Sequence, residues 1–257
     1  MIIELGRLTK HLPRVRGLNA IRSVYRSIIP EGKIFRVNDF DGDLKLDVDL
    51  RDGIGVNIWH NPKGYERRER ELFCSAITKG CNVLDIGANI GIYTLLAAKR
   101  GANVFAIEPD PINAAALRRH LAVNRLDHRV TVLEIAASDT DKKLTLHRNA
   151  KNCGASSVYG DGESFTVRAV PIDSLELPPI DICKMDIEGA EVIALHGMRK
   201  TLDRSPNIQL LVECSNEHRD SSDMIRILHD QFRHISVVGG KALVDPPPPF
   251  CNLWCTK

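Results

Sequence analysis

A glycine-containing loop offers the clearest chemistry in the sequence. It reads Asp-Ile-Gly-Ala-Asn-Ile-Gly from Asp85 to Gly91, after the short apolar segment 82–86 and before a helical pattern. Gly87 permits a tight turn, and a loop of small residues lets a ligand approach the backbone. A strand, such a loop and a helix are typical of nucleotide-binding α/β folds. We therefore expect Asp85, Gly87, Asn89 and Gly91 to bind a cofactor.

Spacing and charge favour S-adenosylmethionine over a nicotinamide dinucleotide. Glu108 ends the next apolar segment, 17 residues after Gly91, and a carboxylate there can accept hydrogen bonds from both hydroxyls of a ribose. A dinucleotide loop reads Gly-x-Gly-x-x-Gly, whereas this one reads Gly-x-Asn-x-Gly. The carboxylate of Asp85 would repel a pyrophosphate but suits the cationic methionine end of S-adenosylmethionine.

Two small residues follow the third apolar segment, which spans 130–135. In an open α/β sheet this strand end lies at the ligand crevice, near the glycine loop. Ala137 and Ser138 leave room there for a flat adenine ring, so we expect both to contact the cofactor. The alternative is an ordinary exit from a strand into a loop.

Carboxylates cluster where the fourth and fifth apolar segments end. Asp186, Glu188 and Glu191 fall within six residues, and Glu213 ends the following segment. Neighbouring strands lie about 4.8 Å apart, so Asp186 and Glu213 should come close together. A carboxylate within hydrogen-bond reach of a hydroxyl can take its proton. We expect this role first for Asp186, then Glu188, then Glu213, while Glu191 is equally consistent with a charge that complements a helix N-terminus.

These motifs together resemble the FkbM-type methyltransferases over roughly residues 60–215. The glycine loop is common to many methyltransferases, whereas the Lys-x-Asp-x-Glu-Gly-x-Glu block is more specific. The matching pieces are Tyr65-Glu66, Asp85–Gly91, Glu108-Pro109, Asn152…Gly154…Ser156-Ser157, Lys184…Asp186-x-Glu188-Gly189-x-Glu191, Gly197 and Glu213. The resemblance implies S-adenosylmethionine-dependent O-methylation of hydroxyls on sugars, glycans, polyketides or other natural products. It also implies that Pro109 belongs to the cofactor site.

Other functions fit the residues less well. An RNA- or protein-modifying methyltransferase is the first alternative, but acidic residues around Asp186 would repel phosphates, so we expect no nucleic-acid partner. A divalent metal held by Asp186 and Glu213 is a second option, not favoured because no sharp metal motif is present. The spacing of the glycine loop disfavours a nicotinamide-dependent oxidoreductase. The intact carboxylate block disfavours a binding module that has lost catalysis.

The elements that must position these residues alternate between strand and helix from residue 82 onward. Buried apolar strands alternating with helices predict a doubly wound, mostly parallel seven-stranded sheet of the Rossmann-like methyltransferase type. The last two strands, 235–238 and 250–255, are expected to form a hairpin. Between residues 34 and 60 we expect a small antiparallel element with strands 34–37, 44–48 and 56–59, turning at Asp41-Gly42 and Asp52-Gly53. We therefore predict a basic helical and β-hairpin cap over 1–64 and the cofactor-binding domain over 65–257.

Composition adds broad limits. The chain has 257 residues with 43% hydrophobic and 26% charged residues and a net charge of +2, values typical of a globular protein. Seven cysteines without a Cys-x-x-Cys pair indicate reduced thiols and a cytoplasmic protein. The first 36 residues carry eight Lys or Arg against two Glu, so peripheral membrane contact competes there with a packed cap.

Overall fold

The computed structural model describes residues 18–149, 152–157, 163–215, 221–243, 248 and 250–257. Residues 1–17, with four of the eight basic residues of the N-terminal segment, lie outside these ranges. The predicted cap region contains α1 (Leu18–Ile28), β1 (Ile34–Phe40), β2 (Leu44–Asp49) and α2 (Gly53–His60), and helix α3 (Arg67–Ala76) follows it. Within the described ranges, no helix is long and apolar enough to cross a bilayer.

The main fold alternates strands and helices, as predicted. Its first half contains β3 (Asn82–Ile86), α4 (Ile92–Lys99), β4 (Asn103–Ile107), α5 (Pro111–Asn124) and β5 (Val130–Leu133). Its second half contains β6 (Ala136–Ala137), β7 (Lys142–Asn149), β8 (Asn152–Ser157), β9 (Ser164–Val170), β10 (Ile182–Met185), α6 (Glu191–His196), α7 (Arg199–Asp203), β11 (Gln209–Ser215), α8 (Ser221–Gln231), β12 (His234–Val237), β13 (Lys241–Ala242) and β14 (Phe250–Thr256).

The large sheet confirms the predicted fold class. Its strand order is β13-β12-β14-β11-β10-β3-β4-β5, and the block from β11 to β5 is parallel. Apart from the two-residue β13, seven strands remain. The predicted C-terminal hairpin is confirmed, since β14 pairs antiparallel with β12 and also with β11. Apolar side chains cover both faces: one core packs β1, β2, α2 and α4, and the other packs α6, α7 and α8.

The segment after β5 forms a second sheet of its own, with strand order β6-β9-β7-β8. Arg148 of β7 joins this sheet to the main fold, because its guanidinium contacts both carboxylate oxygens of Asp110 at 2.8 and 3.1 Å. Asp110 also caps α5 by accepting from the Ile112 amide at 2.8 Å. The ion pair therefore fixes β7 against the helix that begins beside Glu108.

One predicted strand is wrong: residues 56–59 belong to helix α2. Asp52 starts this helix by accepting hydrogen bonds from the amides of Ile54 and Gly55 at 3.1 and 3.2 Å. Asp52-Gly53 is therefore a helix start and not a hairpin turn. The Asp41-Gly42 turn is confirmed between β1 and β2, where both residues adopt positive φ angles.

Two short helices, α6 and α7, follow the carboxylate loop and are separated at Gly197 and Met198. A Cβ atom at Gly197 would lie 1.8 Å from the carbonyl oxygen of Ser138. The backbone of this break therefore packs directly on the end of β6, which a continuous helix with a side chain at this position would prevent.

The loops after β3 and β10 touch through their backbones. Gly87 has a φ of +81°, and a Cβ atom there would lie 1.9 Å from the carbonyl oxygen of Asp186. Gly91 has a φ of +96° and packs against Leu117 of α5. The glycines thus serve close packing within the protein, in addition to any approach of a ligand.

We expect Gly87→Ala to lower the free energy of unfolding more than Gly80→Ala does. Both residues have positive φ, but no atom lies within 4 Å of a Cβ at Gly80. The clash with the Asp186 carbonyl should therefore lower the free energy of unfolding of Gly87→Ala by about 1–3 kcal/mol more than that of Gly80→Ala, the usual effect of overpacking. Urea unfolding measures both values, and equal losses would show that the close approach carries no energetic weight.

Candidate functional site

A cavity of about 380 Å³ opens at the carboxyl ends of the central parallel strands. This is the edge at which open α/β sheets bind their ligands. Nine of the eleven predicted site residues line it: Gly87, Asn89, Glu108, Pro109, Ala137, Ser138, Asp186, Glu188 and Glu213. Asp85 and Gly91 do not line the cavity.

Glu108 fixes one end of the cavity. Its side chain is 5% exposed and accepts hydrogen bonds from the amides of Asn89 at 2.7 Å and Asp110 at 2.9 Å. Asn113 adds a longer contact at 3.4 Å. Burial raises the pKa of Glu108 to about 7 although these donors oppose the shift. A carboxylate has about four acceptor positions, so Glu108 shapes the glycine loop and retains capacity for a ligand.

Asp85 lies beneath the cavity. It is almost fully buried, and Oδ2 accepts a hydrogen bond from the Thr94 hydroxyl at 2.6 Å. Its other oxygen is buried without a hydrogen-bond partner among the described residues. Burial raises the pKa of Asp85, and Lys184, its neighbour in strand register, partly opposes the shift. The geometry therefore gives Asp85 a position under the floor, next to a buried cation.

Lys184 organises the opposite end of the cavity. Its Nζ donates to Oδ2 of Asp186 at 3.0 Å and lies 5.0 Å from the centre of the Tyr93 ring. The Tyr93 hydroxyl in turn donates to Glu66 at 2.8 Å. Burial alone would lower the pKa of Lys184, but Asp186, Asp85 and Glu66 raise it above its ordinary value. The ammonium group is therefore a fixed positive charge among three carboxylates.

Glu213 faces this network from the neighbouring strand. Burial raises the pKa of Glu213, and the negative charges of Asp186, Glu188 and Glu191 raise it further. Lys184 opposes the shift only in part. Glu213 therefore holds its proton more tightly than an ordinary glutamate, as expected where carboxylates crowd together.

Glu191 shapes the loop between β10 and α6. Its Oε1 accepts from the amides of Ile187 at 3.0 Å and Gly189 at 3.3 Å. The side chain is 6% exposed and does not line the cavity. Between those two amides Glu188 adopts a φ of 55°. Glu191 is thus a buried acceptor at a helix start, which holds Glu188 at the cavity edge.

Several lining residues had no role in the sequence-based prediction. Tyr65 and Glu66 were noted only as matching pieces, and Tyr93 lies within the apolar pattern of α4. Lys142, Leu144 and Leu146 of β7 line the cavity as well. Their spacing of two residues places them on one face of a strand, so this alternation is the signal that could have identified them.

Metal ligands do not gather at this site in the part of the chain that the structure describes. Within those residues no group of three or more His, Cys, Asp or Glu side chains has an arrangement that could hold an ion. Asp186 and Glu213 remain a pair of carboxylates beside a lysine.

Comparisons with known proteins give relatives whose names point to different acceptors: a hexuronic acid, RNA and a ribosomal protein. A hexuronic acid methyltransferase, AglP, from Haloferax volcanii is 24% identical over 150 residues, which cover 57% of this chain and 60% of that protein. A tRNA1(Val) (adenine(37)-N6)-methyltransferase from Shewanella amazonensis is 29% identical over 110 residues, covering 42% of this chain and 40% of that protein. The chain thus spans 60% or less of the length of these curated relatives.

A solved structure, a methyltransferase FkbM from Methylobacillus flagellatus KT, aligns with 79% of this chain and 55% of that chain at 19% identity and a TM-score of 0.49. The model of the FkbM methyltransferase domain matches residues 85–234. Because this match covers more than half of the 257 residues, the chain belongs to the FkbM methyltransferase family.

Proposed function

We propose that the protein transfers a methyl group from S-adenosylmethionine to a hydroxyl of a sugar, a glycan or another natural product. The observation that carries this proposal is the arrangement of one cavity. Along the sheet edge Glu108 follows β4, the Gly87 loop follows β3, and the Lys184–Asp186 pair and Glu213 come next on β10 and β11. The β4 and β3 side would offer a nucleoside site, and the β10 and β11 side a proton acceptor.

The residues present fit S-adenosylmethionine. A volume of about 380 Å³ is within the range of small-molecule sites, roughly 300–1,000 Å³. Glu108 would hold the ribose, and the small residues Ala137 and Ser138 would face the adenine. Between the ribose and the adenine, the cofactor would contact Asn89, Gly87 and Pro109. The bound cofactor would supply an electrophilic methyl group on its sulfonium.

Asp186 is the proposed proton acceptor. Asp186 lies at the tip of β10, and a third of its side chain is exposed. Its carboxylate forms an ion pair with the ammonium of Lys184. An acceptor hydroxyl that donates a hydrogen bond to Asp186 would lose its proton there as the new bond to carbon forms. The rigid strand and the ion pair with Lys184 fix the orientation of this carboxylate.

Glu213 has a different proposed role. When two neighbouring carboxyl groups have different pKa values, the one with the higher pKa can act as the proton donor and the other as the acceptor. Because the pKa of Glu213 is raised, its protonated form can donate a hydrogen bond to the acceptor and so orient it. Glu188, at the exposed edge, would contact a more distant part of the acceptor.

Charge favours neutral or cationic acceptors. Five carboxylates line the cavity against two lysines among the described residues: Glu66, Glu108, Asp186, Glu188 and Glu213 against Lys142 and Lys184. Carboxylates repel the phosphates of RNA, so this lining supports a small hydroxylated acceptor over RNA. The AglP relative supports a sugar acceptor, whereas the acidic lining disfavours one that carries its own carboxylate.

We also propose that the methyltransferase domain begins near residue 65, ahead of the matched range. Tyr65 and Glu66 line the cavity although the family match starts at residue 85. The preceding residues would then act as a cap over the helical face of the sheet.

Glu108→Ala should weaken S-adenosylmethionine binding by at least about 1.5 kcal/mol, the scale of a hydrogen bond to a charged group. The unmutated protein should also bind more weakly as the pH falls through about 7, because protonation removes the carboxylate that accepts from the ribose. Calorimetric titration measures both effects. The control is Glu134→Ala, at the exposed end of the next strand, and unchanged affinity in Glu108→Ala would exclude the ribose contact.

Asp186→Asn should reduce turnover roughly 10²–10⁴-fold, because it removes the proton acceptor and keeps the shape. Cofactor affinity should stay within about twofold of the original, since Asp186 is at the acceptor end. Asp181→Asn, at the other end of the same strand, serves as the matched control and should remain active. A fully active Asp186→Asn protein would overturn the assignment.

Glu213→Gln should keep most of the turnover, because glutamine retains a hydrogen-bond donor at this position. In the unmutated protein turnover should decline at alkaline pH as Glu213 loses its proton, and in Glu213→Gln this decline should disappear. Rates measured from pH 6 to about 10 test this. A loss of activity in Glu213→Gln as large as that in Asp186→Asn would instead make Glu213 the base.

A further inference from the structure

A second cleft, with a volume of about 940 Å³, lies outside the strand-end cavity and shares no lining residue with it. The β1–β2 turn, the loop before Tyr65 and helix α3 form its walls, and Arg100 adds a side chain from the end of α4. Its charged lining residues are Lys63, Arg67, Arg70, Arg100, Asp39, Asp41 and Glu71.

All three carboxylates in this cleft have partners. Asp41 contacts Arg100 at 3.0 Å and Lys99 at 3.3 Å. Glu71 contacts Arg67 at 2.7 Å. Asp39, near the end of β1, is exposed and also has an interaction partner. These pairs leave Lys63 and Arg70 as the lining cations that form no ion pair with a described residue.

Arg70 is the unusual member of the set, because it is a buried cation. Its side chain is 8% exposed and stacks 4.6 Å from the centre of the Phe40 ring. Nη2 donates to the carbonyl oxygens of Pro62 at 3.1 Å and Lys63 at 2.9 Å. Nε is buried with no acceptor among the described residues, so the guanidinium has dipoles around it but no counter-charge in contact.

Such an arrangement is costly unless an anion completes it. Burial lowers the pKa of the Arg70 guanidinium, and the charges of Asp41 and Glu66 oppose this shift only in part, yet an arginine side chain stays protonated in proteins. A buried charge is normally paired. The planar guanidinium fork matches the oxygens of a phosphate or carboxylate group.

We propose that this cleft binds an oxyanion of the phosphate type, with Arg70 as its buried counter-charge and Lys63 as a second cation at the rim. The side chain of Lys63 is exposed, while its backbone carbonyl already holds Arg70 in place. The ligand would therefore be a phosphate group, free or carried by a larger molecule whose remainder stays in the open part of the cleft.

Inorganic phosphate titrated into the full-length, ¹⁵N-labelled protein tests the proposal by amide chemical shifts. We expect saturable shifts in the amides of Gly42, Asn61, Lys63 and Gly64, and none of that size with chloride at equal ionic strength. Lys63→Ala should weaken phosphate binding about threefold, the scale of one exposed ion pair, and Arg70→Met at least about tenfold. Arg168→Ala, an exposed residue outside the cleft, is the matched control and should change nothing.

The proposal fails if the shifts do not saturate, if chloride produces the same shifts, or if they cluster at the strand-end cavity. It also fails if Lys63→Ala binds phosphate as tightly as the unmutated protein. Because Lys63 is exposed, that variant decides the matter even where Arg70→Met destabilises the fold.

Discussion

The carbonyl oxygen of Asp186 occupies the space that a side chain at position 87 would need. This contact joins the two loops on which the site depends, the glycine loop after β3 and the carboxylate loop after β10. Parallel pairing of β3 with β10 aligns the two strand ends, and the missing side chain lets the backbones meet. The two loops, proposed to contact the cofactor and the acceptor, are therefore held in one fixed relation by the central strands.

Electrostatics imposes the second constraint. The acceptor end gathers carboxylates from three parts of the chain, and the buried ammonium of Lys184 is the charge that makes this arrangement tolerable. Lys184 contacts Asp186 directly, lies over Tyr93, and is adjacent to Asp85 in strand register. Because Lys184 offsets only part of the negative charge, the proton on Glu213 is held tightly. The same surplus of negative charge supports the proposed preference for neutral or cationic acceptors.

Local spacing predicted the fold and most of the cavity, because the glycine loop, Glu108 and Asp186 each end a buried strand at the same sheet edge. The prediction for residues 56–59 failed because helix α2 depends on the Asp52 cap, which a short apolar run does not reveal. Asp85 was expected to face the cofactor, but the strand pleat places it under the floor beside Thr94. The link from Glu66 to Tyr93 joins residues 27 positions apart, so only the folded chain reveals it.

The central claim is that the strand-end cavity is a nucleoside site built for S-adenosylmethionine. Calorimetric titration of the full chain with S-adenosylhomocysteine, beside the same titration with NADH, tests it most directly. The account predicts saturable binding of S-adenosylhomocysteine at one site per chain and no binding of NADH. Tight binding of NADH, or no binding of S-adenosylhomocysteine to the folded protein, would contradict it.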